Sequence, residues 1–137
     1  MALRLHASYL EEAIYQPDVI VTRARARLAD VQFDTVIGTG LSGALVVPML
    51  ARALDKHFAV VRKPDNSHSC ERIEGTIGDH WLFVDDLISS GETFRRVREA
   101  IQQLVIERHG HHTEYVGTFL YSYGSQFREP GREGVRW

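Results

Sequence analysis

The most informative segment of this 137-residue chain is residues 82–93, Leu82-Phe83-Val84-Asp85-Asp86-Leu87-Ile88-Ser89-Ser90-Gly91-Glu92-Thr93. An apolar run, of the kind that is buried on both faces of a parallel sheet, ends at two acidic residues, Asp85 and Asp86. A short loop of small and hydroxyl-bearing residues follows and leads into a helical pattern. Because ligands of open α/β sheets bind beyond the carboxyl ends of the strands, the two carboxylates stand where a ligand would be held.

The loop behind the acidic pair has the features of a phosphate site. It enters a helix N-terminus, where free N–H groups and the positive end of the helix dipole attract anions, and Gly91 allows a close approach. Its hydroxyl groups belong to Ser89, Ser90 and Thr93. Carboxylates would repel a phosphate in the same cradle, since like charges at ~4 Å and an effective dielectric of ~20 cost roughly 4 kcal/mol. Asp85 and Asp86 must therefore face sugar hydroxyls or a divalent metal, and the segment predicts a sugar phosphate site.

Outward from this segment, strands alternate with helices. Strands are predicted around 33–37 and at 58–61, 81–84 and 115–120, and helices at 8–16, 18–30, 44–54 and 94–108. The alternation predicts an α/β domain with a largely parallel sheet. Pro48 predicts a late start or a kink in its helix, and Trp81 is predicted to pack in the core rather than stack on a ligand.

Composition limits the classes of function. Hydrophobic residues make up 44% and charged residues 25% of the chain, as in an ordinary globular protein, and the length predicts one domain over residues 1–137. The formal charge of −2 argues against a general polyanion binder, so no nucleic-acid partner is predicted. No apolar run approaches the ~20 residues that span a bilayer, and residues 1–10 lack a secretory signal pattern. One cysteine, Cys70, forms no internal disulfide, which predicts a cytoplasmic location.

Residues 82–93 resemble the phosphoribosyl pyrophosphate signature of type I phosphoribosyltransferases: an apolar strand, two acidic residues, two aliphatic residues and a small hydroxyl- and glycine-rich loop. The resemblance implies a Rossmann-like, mostly parallel sheet with helices on both faces. It also implies that Asp85 and Asp86 hold the ribose 2- and 3-hydroxyls. The implied 5-phosphate loop consists of Ser89, Ser90, Gly91, Glu92 and Thr93. Phe83 is bulkier than the aliphatic residue usual in this family.

The resemblance extends over roughly residues 33–120. One βα unit before the acidic pair, where the family keeps its pyrophosphate loop, stands a glycine-rich turn; alone, such a turn is commonly structural. The implied loop residues are Thr39, Gly40, Leu41, Ser42 and Gly43. By the same resemblance, 62–79 is a flexible loop, and 1–30 and 121–137 are possible elements of a base-recognising hood.

Arg62, Lys63 and His68 resemble the mobile loop of orotate phosphoribosyltransferases, which closes over the site from a neighbouring subunit. The resemblance implies a catalytic role for these residues and a homodimer. Asn66 stands where that subfamily has a catalytic lysine. The alternative is a polar surface loop that contains Arg and His incidentally.

The function implied is transfer of the 5-phosphoribosyl group from phosphoribosyl pyrophosphate to a nucleobase nitrogen, with release of pyrophosphate. Mg²⁺ would bridge the pyrophosphate and the ribose diol, and Asp85 and Asp86 would contact it indirectly, through the diol or water. Ser89 replaces the Asp that 6-oxopurine enzymes carry, and no Lys lies between Leu120 and Gln126, so an orotate-like or adenine-like acceptor is favoured. The alternative is a regulatory protein that binds phosphoribosyl pyrophosphate or a nucleotide without catalysis.

Other residues are weaker candidates. A metal site at His109, His111 and His112 is less favoured than a solvated turn, and Cys70 has no recognisable catalytic neighbour. The aromatic residues near the end of the chain could stack on a base, but packing against the domain is favoured. These residues are Tyr121, Tyr123, Phe127 and Trp137.

Overall fold

The computed structural model describes residues 1–5, 10–63, 72–86, 91–108, 111–122 and 124–132. The strands are β1 (Thr35–Thr39), β2 (His57–Val61), β3 (Ile73–Gly75), β4 (His80–Asp85), β5 (Glu114–Leu120) and β6 (Gln126–Arg128). The helices are α1 (Glu11–Tyr15), α2 (Pro17–Arg27), α3 (Gly40–Leu54) and α4 (Glu92–Glu107). None of the helices in these ranges has the length and apolar character needed to cross a bilayer.

The described strands form one six-stranded sheet in the order β3-β2-β1-β4-β5-β6. The central strands β2, β1, β4 and β5 pair in parallel, and β3 and β6 pair antiparallel at the two edges. This confirms the predicted α/β class and its mostly parallel sheet. From the adjacent strands β1 and β4 the chain winds outward in opposite directions, so the switch point of the sheet lies between them. Their carboxyl ends border the crevice where such sheets bind ligands.

The sheet separates two hydrophobic layers, which places helices on both faces as predicted. The α3 residues buried on one face are Val46, Val47, Leu50 and Ala51. The α4 residues buried on the other face are Phe94, Val97, Ala100 and Ile101. The two helices that precede β2 and β5 are therefore held in place by separate cores.

Aromatic rings fill the layer beneath α4. Trp81 is 2% exposed, and its ring centroid lies 4.9 Å from that of Tyr115, which confirms the predicted core role. Phe83 is fully buried 5.5 Å from Phe94, between ring centroids, so a bulky strand residue is accommodated because an α4 ring packs against it. Such aromatic pairs contribute about 0.5–1.5 kcal/mol beyond the burial of their area.

Two features of the fold differ from the sequence-based prediction. Helix α3 begins at Gly40 rather than near Ala44 and continues past Pro48 to Leu54. Of the two alternatives predicted from Pro48, the late start was wrong and the kink stays a prediction. Pro48 lacks an N–H and removes one backbone hydrogen bond from α3 without ending it. Strands β3 and β6 were not predicted, because strands of three residues show no periodicity in the sequence.

Asp34 joins the amino ends of β1 and β4. Its carboxylate accepts hydrogen bonds from the Thr35 hydroxyl at 2.6 Å, from the Asp79 N–H at 2.9 Å and from the His80 N–H at 3.2 Å. Burial alone would raise the pKa of Asp34, but these hydrogen bonds outweigh it and the net pKa is lowered. The charged form of Asp34 therefore stabilises the fold.

Asp34→Asn is expected to lower the free energy of unfolding at pH 7 by about 1 kcal/mol, because an amide oxygen accepts these bonds less strongly than a carboxylate. A lowered pKa contributes stability above the unfolded-state value of 3.8, and this contribution is lost as the pH falls below it. Urea unfolding should show the gap between wild type and variant at pH 7 and a smaller gap at pH 3. A gap of equal size at both pH values would contradict this account.

Candidate functional site

The acidic pair lies at the carboxyl end of β4, beside the switch point of the sheet. Asp85 is the last residue of β4 and is only 8% exposed. Its Oδ1 accepts the backbone N–H of Asp86 at 2.8 Å and faces the Ser42 hydroxyl at 3.4 Å. Asp86 is half-buried. Of two carboxylates expected to act together, Asp85 is thus enclosed by protein and Asp86 is the more accessible.

The surroundings of Asp85 change its acid–base behaviour. Burial raises its pKa, and the side chain of Asp86 raises it further through a hydrogen bond and through its charge. The Asp86 N–H and the Ser42 hydroxyl oppose this rise, and the net pKa of Asp85 is about 7. Asp85 can therefore hold a proton near neutral pH.

The N-terminus of α4 approaches the site from one face of the sheet. Gly91 is its N-cap, with a φ of 79° that favours glycine, and it brings no side chain to cap the helix. Thr93 in the first turn is half-buried and Glu92 is exposed. Ser89 and Ser90, which were expected to bind the 5-phosphate with these residues, lie outside the described residues.

The turn from β1 into α3 brings a second helix N-terminus to the site. A Cβ on Gly43 would lie 2.8 Å from the carbonyl carbon of Gly38, so the two backbone segments touch. Gly40 has a φ of 68°. Thr39 is a residue type that often caps helices, but its hydroxyl donates instead to the Val61 carbonyl at 2.6 Å. The first turn of α3 therefore has no side-chain cap at its N-cap residue, and its N–H groups suit an anion.

Lys63 places a cation beside this turn. A Cβ on Gly40 would lie 2.9 Å from Lys63 Cε and 3.3 Å from its Nζ. The neighbouring Leu41 is 64% exposed, so its side chain is not part of the core. The ammonium group and the α3 dipole both favour negative charge at this place.

Arg62 precedes Lys63, but its side chain turns toward β3. Its Nη1 lies 3.2 Å from Glu74 Oε2, and its N–H donates to the Arg72 carbonyl at 2.8 Å. Arg62 thus links the end of β2 to β3 and the residue before it, while Lys63 lies beside α3. His68 and Asn66 lie outside the described residues.

The segment after β5 contacts the acidic pair through its backbone, which the sequence did not reveal. The Tyr121 N–H donates to the Asp85 carbonyl at 3.1 Å, and the Ser122 N–H donates to the Asp86 carbonyl at 3.2 Å. Tyr121 is 1% exposed and belongs to the core, so it packs, as favoured, rather than stacks on a base. Phe127 also packs against this core.

The remaining candidates stand apart from the acidic pair. One ring nitrogen of His111 lies 3.4 Å from the Gly78 carbonyl, and both His111 and His112 are exposed. Among the residues the structure describes, no group of three or more His, Cys, Asp or Glu is arranged to hold a metal. The residues singled out earlier that lie beyond the described ranges are Cys70, His109, Tyr123 and Trp137.

Curated proteins similar in sequence are transcriptional regulators. No protein-family model matches the chain. The transcriptional regulator GfcR of Methanocaldococcus jannaschii is 28% identical over 99 residues, which is 66% of this chain and 44% of the regulator. GfcR of Methanococcoides burtonii is 32% identical over 79 residues, 52% of this chain and 39% of the regulator. The chain therefore matches less than half the length of these relatives.

Solved structures similar in fold are phosphoribosyltransferases and a UMP synthase. The UMP synthase of Leishmania donovani matches 80% of this chain and 23% of its own, with a TM-score of 0.63 and 18% identity. The orotate phosphoribosyltransferase of Mycobacterium tuberculosis H37Rv, in complex with PRPP, matches 74% of this chain and 57% of its own (TM-score 0.57, 24% identity). The adenine phosphoribosyltransferase of Saccharomyces cerevisiae matches 74% of this chain and 62% of its own, with a TM-score of 0.52 and 21% identity. Identities this low show the fold alone, and the fold is that of the type I phosphoribosyltransferases.

Proposed function

We propose that the carboxyl ends of β1 and β4 bind phosphoribosyl pyrophosphate with Mg²⁺, and that the chain transfers the phosphoribosyl group to a nucleobase nitrogen, releasing pyrophosphate. The observation that carries the proposal is the placement of two helix N-termini on either side of an accessible carboxylate, Asp86, at the switch point. Each helix N-terminus suits one anionic end of the substrate, and the carboxylate between them suits the sugar hydroxyls.

Each group has a distinct task in this mechanism. The first turn of α4 receives the 5-phosphate, and Asp86 accepts hydrogen bonds from the ribose 2- and 3-hydroxyls. The first turn of α3 and Lys63 stabilise the negative charge that develops on pyrophosphate as its bond to the anomeric carbon breaks. The acceptor nitrogen bonds to that carbon from the opposite side and loses its proton to solvent, so the configuration inverts. Catalysis by such a site rests on positioning and charge stabilisation.

The carboxylates suit Mg²⁺, a hard cation that binds through one or two carboxylates together with substrate oxygens and water. When bound, Mg²⁺ neutralises charge on the pyrophosphate. Asp86 and Asp85 would contact it indirectly, through the ribose diol or water, and half-buried Asp86 is the more accessible of the two. An orotate-like or adenine-like acceptor remains favoured over a 6-oxopurine because Ser89 replaces an Asp. Lys63 lies beside the α3 turn of its own chain, whereas the resemblance implied a loop that acts on a neighbouring subunit, and the homodimer stays a prediction.

A second candidate is a regulatory domain that binds the same ligand without turnover. The sequence similarity to GfcR transcriptional regulators favours this regulatory candidate. The alignment with GfcR of Methanocaldococcus jannaschii covers 66% of this chain. Asn66 at the position of the loop lysine also favours it. Both candidates share the phosphoribosyl site and differ only in chemistry.

One assay separates the two candidates. The chain is incubated with phosphoribosyl pyrophosphate, Mg²⁺ and a panel of nucleobases, and pyrophosphate release is followed beside calorimetric measurement of ligand binding. Release with one base supports the transferase, and binding without release across the panel supports the regulator. Absence of binding to both phosphoribosyl pyrophosphate and ribose 5-phosphate would reject the site itself.

Gly40→Ala is expected to lower the affinity for Mg²⁺-pyrophosphate several-fold. The left-handed φ of 68° costs an alanine about 1 kcal/mol, and its methyl group would meet Lys63 Cε at 2.9 Å. The end of a lysine side chain moves more easily than backbone, so the ammonium group leaves the turn. Calorimetry of Gly40→Ala, Lys63→Ala and the double variant measures the effect. The double variant should lose little more affinity for Mg²⁺-pyrophosphate than Lys63→Ala alone. Fully additive losses of affinity would contradict this explanation.

A further inference from the structure

The hydroxyl of Ser42 joins the two halves of the site. Ser42 lies in the first turn of α3, and its Oγ lies 3.4 Å from Asp85 Oδ1 at the end of β4. The same Oδ1 accepts the Asp86 N–H at 2.8 Å. A continuous chain of contacts therefore runs from the helix expected to hold pyrophosphate to the carboxylate expected to hold ribose.

The packing of the turn leaves little freedom for this contact to move elsewhere. A Cβ on Gly38 would lie 2.6 Å from Val47 Cγ2 and 3.3 Å from the Val84 carbonyl oxygen. The Gly43 backbone lies directly against Gly38. The first turn of α3 is thus pressed onto the ends of β1 and β4, and the Ser42 hydroxyl remains within reach of Asp85.

The enclosed carboxyl group needs such a neighbour. Asp85 is 8% exposed, so water cannot freely satisfy its oxygens, and each hydrogen bond from the protein, including one from Ser42 beside those from Asp86, lowers the cost of burying them. A distance of 3.4 Å is long for an O–H···O hydrogen bond, and such bonds in ligand-free sites often shorten when the ligand binds. Ser42 is therefore placed to fix Asp85, and Asp85 to fix the backbone that carries Asp86.

We propose that Ser42 is a positioning residue: its hydroxyl holds Asp85, which orients Asp86 toward the ribose, and so couples the pyrophosphate half of the site to the ribose half. This inference rests on the proposed function. It assigns the Ser42 side chain to the ribose half, although the Ser42 backbone belongs to the pyrophosphate loop. It also assigns Asp85 to support and Asp86 to contact with the sugar.

The test compares Ser42→Ala, Ser42→Thr and wild type by calorimetry with two separate probes, ribose 5-phosphate and Mg²⁺-pyrophosphate. Ser42→Ala should weaken the binding of ribose 5-phosphate by about threefold to tenfold, which is the range for one lost hydrogen bond. It should change the affinity for Mg²⁺-pyrophosphate by less than twofold. Ser42→Thr, which keeps the hydroxyl, should restore ribose 5-phosphate binding. Thermal melting of each variant verifies that the chain remains folded.

A double-mutant cycle completes the test. In an Asp85→Ala background, Ser42→Ala should have no further effect on ribose 5-phosphate affinity, because the group it acts through is gone. If wild type binds ribose 5-phosphate but Ser42→Ala loses pyrophosphate affinity instead, Ser42 is a pyrophosphate ligand and the inference is overturned. Equal loss of both probes without rescue by threonine would also overturn it. Wild type that binds neither probe rejects the proposed function, and this inference with it.

Discussion

Asp86→Asn is expected to weaken binding of phosphoribosyl pyrophosphate by about 10- to 150-fold, the largest functional effect at this site. The substitution keeps the size of the side chain and removes the charge that strengthens its hydrogen bonds to the sugar hydroxyls. Hydrogen bonds to charged groups contribute about 1.5–3 kcal/mol, which corresponds to this range of affinity. Calorimetric titration with phosphoribosyl pyrophosphate and Mg²⁺ measures the change directly.

The matched control for this substitution is Asp30→Asn. Asp30 is exposed in the turn that follows α2, so the same loss of charge there should leave binding within twofold of wild type. The melting temperature of both variants shows whether each chain is folded. An Asp86→Asn variant that is folded and binds like wild type would mean that Asp86 does not hold the ribose.

Asp85→Asn is expected to stabilise the folded chain at alkaline pH, which is the largest expected effect on stability. The pKa of Asp85 is raised to about 7 from 3.8, so the folded chain keeps a proton that the unfolded chain releases. The stability of wild type therefore falls as the pH rises toward 7, and an amide at this position removes the fall. Between pH 5 and pH 8 the advantage of the variant should grow by about 2 to 3 kcal/mol.

Urea unfolding of wild type and Asp85→Asn at pH 5 and pH 8 measures this change. The sign is opposite to that expected for Asp34→Asn, whose wild-type carboxylate stabilises the fold above its pKa. The two aspartates thus serve as controls for each other in one pH series. A constant difference between wild type and Asp85→Asn across this range would show that Asp85 is charged in the folded chain at pH 5.

The sequence revealed the parts of the molecule that are built from long, regular patterns. The apolar run before Asp85 predicted the central strand β4, and the helical spacing from Phe94 to Val105 predicted α4. Both patterns arise from burial against the sheet, which leaves a periodic trace in the chain. The same logic gave the order of the βα units along the chain, whereas the pairing of β1 with β4, which brings Gly40 and Asp85 to adjacent strand ends, is seen only in the structure.

The rest depended on contacts that no local pattern encodes. Thr39 could have capped α3, but its bond to the Val61 carbonyl depends on how β1 and β2 are aligned. The contact between Ser42 and Asp85 likewise joins residues that are 43 positions apart along the chain. Two adjacent acids are chemically identical in a sequence, and only the packed structure shows that Asp85 is buried while Asp86 is half-buried.

Helices α3 and α4 are anchored in hydrophobic layers on opposite sides of the sheet, yet their N-termini open onto the same edge. A molecule with an anionic group at each end that touches both N-termini would crosslink the two layers. Amide hydrogen exchange should then slow in both helices together when the ligand is added, by an amount that grows with its concentration. A compound that occupies only one end would protect one helix and leave the other unchanged.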